Sequence, residues 1–505
     1  MQDQYDIRML IDGRWIEGEG PVIPVIDKWT GEALGRVRSA AAAQVDAAVA
    51  AARAAFAVVR IEPYERSRLL HRVADLILDD REALAATIVA ESGVPWKDSD
   101  NEVSRAAETF RVSAEEGRRL TGEIVPIQGA AGQSGRMAYT LRAPRGVVGG
   151  ISSFNSPLNM VAHKVAPALA SGNAVVFKPP VATPMAATRL FELMLEAGVP
   201  GGLINLVHGG GADVGAPLAA HPGVDFFTFT GSTPVGKAIQ AGRGMRATAL
   251  ELGSIAATIV CADGDLERAA VRCAQSGFRR QGQACTSTQR LFVERSVLER
   301  FLPMFLAQVG AVLFVILIWV SVFTKPLILF SGHPLAQSLA ILTLVQSILM
   351  LQPTHTAEQK RVGQRIHAFL NLLAFLFLFA GVFIIEYNKV ANNGQHFHST
   401  HGYLGVITSI ILLLQYFVGF TMWATPGLYG GVDNAKAIWK YHRVGGYVIL
   451  ILLLVTASTA MTTGYNINVL KVKLWATILL SILILVGILP RIQKQKLGFK
   501  PPRSS

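Results

Sequence analysis

The chain has 505 residues, room for roughly two to four domains, and its 51% hydrophobic content with a mean hydropathy of +0.38 is too apolar for an average soluble protein of that length. The C-terminal 197 residues hold 15 Lys and Arg against 3 Asp and Glu, while the first 308 hold 32 of each, so the whole net charge of +12 belongs to the C-terminal part. Those cations flank long apolar runs instead of striping a soluble domain, which argues against nucleic-acid binding. Cys261, Cys273 and Cys285 are an odd number in a long chain, which excludes a disulfide scaffold. Met1 to Trp15 carry charges of both signs and no apolar core of signal-peptide length, so membrane targeting is expected from internal spans.

In chain order, Ala40 to Val59 is an Ala-rich stretch expected to be helical. The β-branched runs Gly146 to Ser152, Ala174 to Lys178, Ile204 to Val207, Phe226 to Thr230 and Ala257 to Val260 read as buried parallel strands. Their alternation with helices predicts a doubly wound α/β (Rossmann-like) domain that binds ligands at the carboxyl ends of its strands. After the strand VDFFTFT comes GSTPVG, Gly231 to Gly236, a small-residue turn opening a helix whose N–H groups can meet a phosphate. An ordinary strand-to-helix turn would read the same way.

SFNSPLN with Asn155, FKPPVATP with Lys178, LELGS with Glu251 and GQACTS with Cys285 together resemble the aldehyde dehydrogenase superfamily. The 34-residue gap from Glu251 to Cys285 fits that family as well. The resemblance implies Cys285 as thiolate nucleophile, Asn155 with the Cys285 N–H as oxyanion hole, and Glu251 as the base that activates water. It also implies NAD or NADP bound by Lys178, Gly231, Ser232 and Gly236. Cys261 and Cys273 read as buried structural cysteines. Three positions depart from the pattern: Val181 replaces an acidic residue that would hold the adenosine ribose, LELGS replaces a double glycine, and Arg280 stands where asparagine is common. The resemblance stops near Phe305, so the catalytic domain is only begun, and an incomplete, inactive fragment is expected.

From Phe301 onward six spans are expected, at Val309 to Phe323, Leu329 to Leu351, Ile366 to Ile385, His401 to Trp423, Tyr441 to Thr463 and Leu474 to Leu489, most of them near the ~20 residues that cross a bilayer. The preceding LERFLPMFLAQ reads as a helix running straight into the first of them, with no flexible linker. Loop cations number eleven on one side (Lys360, Arg361, Arg365, Lys436, Lys440, Arg443, Arg491, Lys494, Lys496, Lys500, Arg503) and four on the other (Lys325, Lys389, Lys471, Lys473), which predicts cytoplasmic termini.

Seven of the eleven histidines lie in this half, and His333, His367, His401 and His442 open four consecutive spans. An intramembrane imidazole needs a partner, and two facing imidazoles can grip a haem iron from both sides. Alternating span direction pairs His333 with His401 and His367 with His442, one pair per membrane face. His355, His396 and His398 read as interfacial histidines. Gly402, Gly405, Gly445 and Gly446 allow close approach to a macrocycle, or ordinary helix packing. Lys360 and Arg361 read as clamps for an anionic reductant, and a solvated positive-inside loop would look the same.

GHPL around His333, RIHAFLN around His367, HFHSTHGYLG around His401 and YHRVGGY around His442 resemble the cytochrome b561 family, as do the 34-residue steps from His333 to His367 and from His367 to His401. That resemblance, over Gly310 to Gln495, implies an all-α six-helix transmembrane bundle with two b haems that moves electrons from cytosolic ascorbate to an acceptor across the membrane. The expected organisation is residues 1–252 as an NAD(P)-binding domain, 253–308 as the truncated start of a catalytic domain, and 309–505 as the transmembrane domain. The abrupt join points to a chimaera, an artificial fusion or a mis-joined gene. The expected partners are the lipid bilayer, ascorbate and a second copy in a homodimer. The competing reading is a membrane-anchored NAD(P)-dependent aldehyde dehydrogenase that oxidises an aldehyde to a carboxylic acid.

Overall fold

In a computed structural model, residues 5–352, 357–392, 396 and 399–492 are described. The chain divides into two compact units, Met1–Ile255 with Arg279–Ser287, and Ala256–Phe278 with Thr288–Ser505. The stretch 253–308, expected to begin one catalytic domain, is thus shared between the two units.

In the first unit a seven-stranded sheet runs in the spatial order Thr248–Glu251, Phe226–Thr230, Val147–Ile151, Ala174–Lys178, Ile204–Leu206, Met9–Ile11 and Arg14–Ile16. The first five are mutually parallel and the last two form an antiparallel edge. The strand order reverses between Val147–Ile151 and Phe226–Thr230, which opens a crevice at their carboxyl ends. Gly149 and Gly150 occupy the central strand because a Cβ would stand 2.6 Å from the Phe227 ring at one and 2.7 Å from the Phe177 ring at the other. Those two rings are fully buried in the main core. The expected helix forms at Ala42–Val58 and packs against the strand Ala174–Lys178, and GSTPVG opens the helix Thr233–Arg243.

One expected strand is corrected. Ala257–Val260 is not in this sheet: it pairs in parallel with Arg290–Val293 in the second unit, and Ile259 is 74% exposed. A short β-branched run has the same composition whether one face or both are covered, so the run alone could not distinguish them. Thr248–Glu251, not among the expected strands, completes the parallel set instead.

In the second unit the helix Leu266–Phe278 packs on Leu298–Phe323 through Ala270, Cys273, Phe301 and Met304. Among the described residues six helices are long and apolar enough to cross a membrane: Arg295–Phe323, Leu329–Leu351, Arg361–Ala391, Thr400–Ala424, Val432–Thr462 and Leu474–Arg491. The expected first span is the second half of one continuous helix, Leu298–Phe323, which includes Pro303. The second span packs along the third, the fourth along the fifth, and the pairs meet third to fourth and second to fifth. The second and fourth spans are therefore diagonal across the bundle, and so are the third and fifth. The first span packs between the second and the sixth.

Candidate functional site

Four of the residues singled out in the first unit sit where strands of the sheet end or just beyond. Lys178 is the last residue of Ala174–Lys178 and Glu251 the last of Thr248–Glu251, while Asn155 and Ser232 follow the two strands that flank the order reversal. The carboxyl ends of parallel strands are where an open α/β sheet presents side chains to a ligand. Cys285 lies in the segment Arg279–Ser287, which folds back onto this unit and is exposed. Asn155 Nδ2 donates to Gln283 O at 2.7 Å, bringing the asparagine within two residues of the thiol along the chain. Gly231 N donates to Glu251 O at 3.0 Å, which ties the turn to the neighbouring strand.

Lys178 is 4% exposed and its ammonium donates to Pro179 O and Gly209 O, each at 3.0 Å. Burial lowers its pKa to about 8. The same cause, opposed by nearby Glu251, lowers Lys164 to about 8. Ser232 is exposed at the start of Thr233–Arg243 and its side chain makes no cap bond, so the first-turn N–H groups fit an anion such as a dinucleotide phosphate. A Cβ at Gly236 would stand 2.4 Å from Leu252 Cδ2, so any larger residue there would have to displace that side chain.

Arg280, noted in the sequence only as a departure, is the most tightly held residue of the segment. Its guanidinium is 8% exposed, pairs with the fully buried Glu102 at 2.7 Å, and donates to Asn155 O, Ser156 Oγ (3.2 Å) and Asp98 O (3.3 Å). The other Glu102 oxygen accepts from Leu158 N and Asn159 N at 2.9 and 3.1 Å, at the start of the helix Asn159–Ala170. One buried ion pair thus holds both the Asn155 loop and the Cys285 segment, while Arg280 and Gln281 adopt left-handed φ of 49° and 58°. Cys273 is buried as expected; Cys261, expected to be buried, is exposed because it leaves the edge strand Ala257–Val260.

In the second unit His333 and His401, from diagonal spans, have ring centroids 6.2 Å apart at an interplanar angle of 77°. A metal–nitrogen bond of about 2.0 Å on each side, added to the half-widths of two imidazoles, comes to roughly the same separation. The Nδ1 of His333 lies 2.8 Å from Gly381 O, that of His401 2.9 Å from Thr456 O, and that of His367 3.1 Å from Ser347 O. A carbonyl only accepts, so at His333 and His401 Nδ1 carries the proton and Nε2 keeps a lone pair for a metal, while the His367 Nδ1 also lies 2.7 Å from the Ser347 hydroxyl, which can donate or accept. His442 lies within electrostatic reach of His367, and its buried Nδ1 has no hydrogen-bond partner among the described residues. The facing imidazoles of His333 and His401 fit an iron held between them, as in a haem, and a Cβ at Gly405, one turn after His401, would meet nothing within 4 Å.

Residues 15–314 match the aldehyde dehydrogenase family, which is more than half of the chain, and residues 332–466 match eukaryotic cytochrome b561. The chain belongs to the aldehyde dehydrogenase family. Joined to its cytochrome b561 domain, it is a two-part chimaera. Among curated relatives it is 42% identical over 293 residues to 3-sulfolactaldehyde dehydrogenase of Priestia aryabhattai, covering 58% of this chain and 61% of that one. It is 40% identical over 303 residues to retinal dehydrogenase 2 of Homo sapiens, covering 58% of each. The chain therefore spans about three fifths of the length of the curated relatives it matches. Among solved structures, the NADP-dependent glyceraldehyde-3-phosphate dehydrogenase from Bacillus halodurans C-125 aligns with a TM-score of 0.58 at 36% identity, over 60% of this chain and 64% of that one. The NAD-dependent aldehyde dehydrogenase from Sinorhizobium meliloti aligns with a TM-score of 0.57 at 36% identity, over 60% and 61%.

The aldehyde dehydrogenase domain implies NAD(P), and the cytochrome b561 domain implies haem and electron transfer across a membrane that the six apolar helices make multi-pass. Sequence reasoning missed three neighbours of the b561 histidines. Gly419, whose Cβ would stand 2.7 Å from His442 Cε1, lets the fifth-span histidine pass the fourth span. Fully buried Ser347 and half-buried Asn371 hold His367, with Asn371 Nδ2 donating to Ser347 Oγ at 2.7 Å and to His367 O at 2.8 Å. Asn371, four residues after His367, was legible as a polar residue inside an apolar run; Gly419 carried no such signal. His396 pairs with Glu386 at 3.2 Å. His355, His398 and the Lys360 side chain lie outside the described residues. Arg361 is exposed.

Proposed function

We propose that this protein carries electrons across a membrane between two b-type haems, from cytosolic ascorbate to an acceptor on the far side. In this reading His333 and His401 hold one haem iron and His367 and His442 the other, and both termini are cytoplasmic. The observation that carries it is the 6.2 Å separation of the His333 and His401 rings, each with its Nδ1 fixed by a backbone carbonyl. Bound haem supplies reversible one-electron chemistry. The chain's own residues keep each Nε2 available, exclude water from the bundle and, at Lys360 and Arg361, attract an anionic reductant. The positive-inside imbalance of the loops supports the orientation.

The aldehyde dehydrogenase part is read as inactive. Cys285, Asn155 and Glu251 are its candidate nucleophile, oxyanion donor and base, and Lys178, Gly231, Ser232 and Gly236 its candidate cofactor contacts. Beyond residue 314 the chain continues into the membrane bundle, without the remainder of a catalytic domain that would enclose an aldehyde. The test is a reduced-minus-oxidised absorption spectrum of detergent-purified protein titrated with ascorbate, with haem quantified per chain. Two haems per chain, both reduced by ascorbate, are expected. Haem-free protein, or haem that ascorbate leaves oxidised, would overturn the reading, and NAD(P)H production from an aldehyde would overturn the inactivity of the N-terminal part.

A further inference from the structure

A cavity of about 400 Å³ lies within the second unit, and none of the four histidines lines it. Its walls come from the helix Leu266–Phe278 and from the ends of three membrane helices, where Met304, Gln308, Leu349 and Arg491 line it. Leu349 is two residues from the end of the span Leu329–Leu351 and Arg491 is the last residue of Leu474–Arg491, so the cavity opens where apolar helix gives way to water. Arg268, Arg272 and Arg491 line it against a single carboxylate, Glu267.

Arg491 is 13% exposed and pairs with Glu267 at 3.6 Å, which consumes that carboxylate. Burial nevertheless raises the Glu267 pKa, the nearby arginines only partly opposing it. Arg268 and Arg272 are exposed and, among the described residues, have no carboxylate partner. Deeper in, Gln308 and Gln346 exchange two amide hydrogen bonds at 2.9 and 2.8 Å, closing off their own polarity, and Met304, Leu349 and Met350 with Ala270 and Val271 form the apolar part of the wall.

We propose that this cavity binds the headgroup of an anionic phospholipid, its phosphate held by Arg268 and Arg272 and its glycerol and first acyl carbons resting on Met304 and Leu349. Arginine forks match phosphate oxygens in pairs, and a basic pocket at the ends of membrane helices is placed where such headgroups lie. The site is amphipathic in the order a lipid is, cationic at the water side and apolar toward the hydrocarbon. A zwitterionic lipid brings its own cation and gains less from two unpaired arginines. The inference is independent of the haem and aldehyde chemistry.

The full chain, purified in detergent and stripped of lipid, is titrated with phosphatidylglycerol, with phosphatidylcholine and with inorganic phosphate, and bound species are counted by native mass spectrometry. One phosphatidylglycerol per chain is expected to survive activation that removes phosphatidylcholine. The double variant Arg268→Gln, Arg272→Gln, both exposed and therefore neutral to folding, is expected to bind it about tenfold or more weakly, since two charge-assisted contacts are lost. Lys325→Gln, just past the other end of the first span, is expected to bind as the parent does. Equal retention of the two lipids, a double variant that binds like the parent, an equal loss in Lys325→Gln, or inorganic phosphate occupying the site as tightly as the lipid would each overturn the proposal.

Discussion

The two halves assemble their chemistry in opposite ways. In the aldehyde dehydrogenase part Asn155, Lys178, Ser232 and Glu251 come from four separate strand ends, and Cys285 from a segment pinned back onto them by the buried pair Arg280–Glu102. In the cytochrome b561 part each of four spans delivers one histidine. It is the second residue of Gly332–Leu351 and Thr400–Ala424 but, unlike the expectation that all four open their spans, the eleventh of Ala357–Ala391 and Val432–Thr459. Neighbouring spans place carbonyls within hydrogen-bond distance of three of the rings. A helical bundle can place a ligand from one element and one neighbour, whereas a sheet-edge site needs many loops to agree, so loss of sequence beyond it is more damaging. This contrast is why the bundle is read as working and the dehydrogenase part as inactive.

The largest effect should come from the histidines. His367→Ala or His442→Ala is expected to remove one haem and halve the reduced-minus-oxidised absorbance while the other haem remains, and His333→Ala or His401→Ala is expected to do the reverse. A single variant that loses both haems, or neither, would break the idea of two independent pairs.

Next in size is Arg280→Met, which leaves Glu102 buried without its cation. Loss of one partner of a buried pair costs about 3–5 kcal/mol, measurable as a lower denaturation midpoint of the purified chain. Amide exchange should rise first at Leu158 and Asn159, whose N–H groups donate to Glu102. An unchanged midpoint would mean that the segment carrying Cys285 is held by other contacts.

A smaller, pH-dependent effect is expected at Glu91. Its carboxyl is fully buried and accepts from Met185 N and Ala186 N at 2.8 and 3.0 Å, and burial raises its pKa from 4.5 to about 8. Between those values the unfolded chain has lost the proton that the folded chain keeps, so stability is full below pH 4.5 and declines as pH rises toward 8. Hydrogen exchange at Met185 and Ala186 should quicken over that window, and Glu91→Gln should flatten the response. Smallest of all, Cys285→Ala is expected to leave ascorbate-driven haem reduction unchanged and, if the dehydrogenase part is inactive as proposed, to change no NAD(P)H production; a rate that disappears in the variant would restore the dehydrogenase as a working enzyme.

Much of this was legible from the chain alone, for reasons that differ by residue. The six apolar runs and the histidines within four of them were visible because a bilayer demands ~20 apolar residues per crossing and makes each polar exception conspicuous. The parallel strands were visible where both faces are covered, as at Ala174–Lys178. Ala257–Val260 was misplaced because its composition does not say which sheet it joins, and Cys261 was misjudged with it.

By itself the sequence determined the two families, the membrane character and the candidate histidines, since each rests on local composition and short motifs. Only the tertiary structure decided that Arg280 neutralises Glu102 across 178 residues of chain, that Gly419 makes way for His442, and that Gly381, Thr456 and Ser347 place carbonyls within hydrogen-bond distance of histidines on other spans. Those contacts join residues far apart in sequence, and which buried group meets which is fixed by packing of whole elements, a property no local pattern contains.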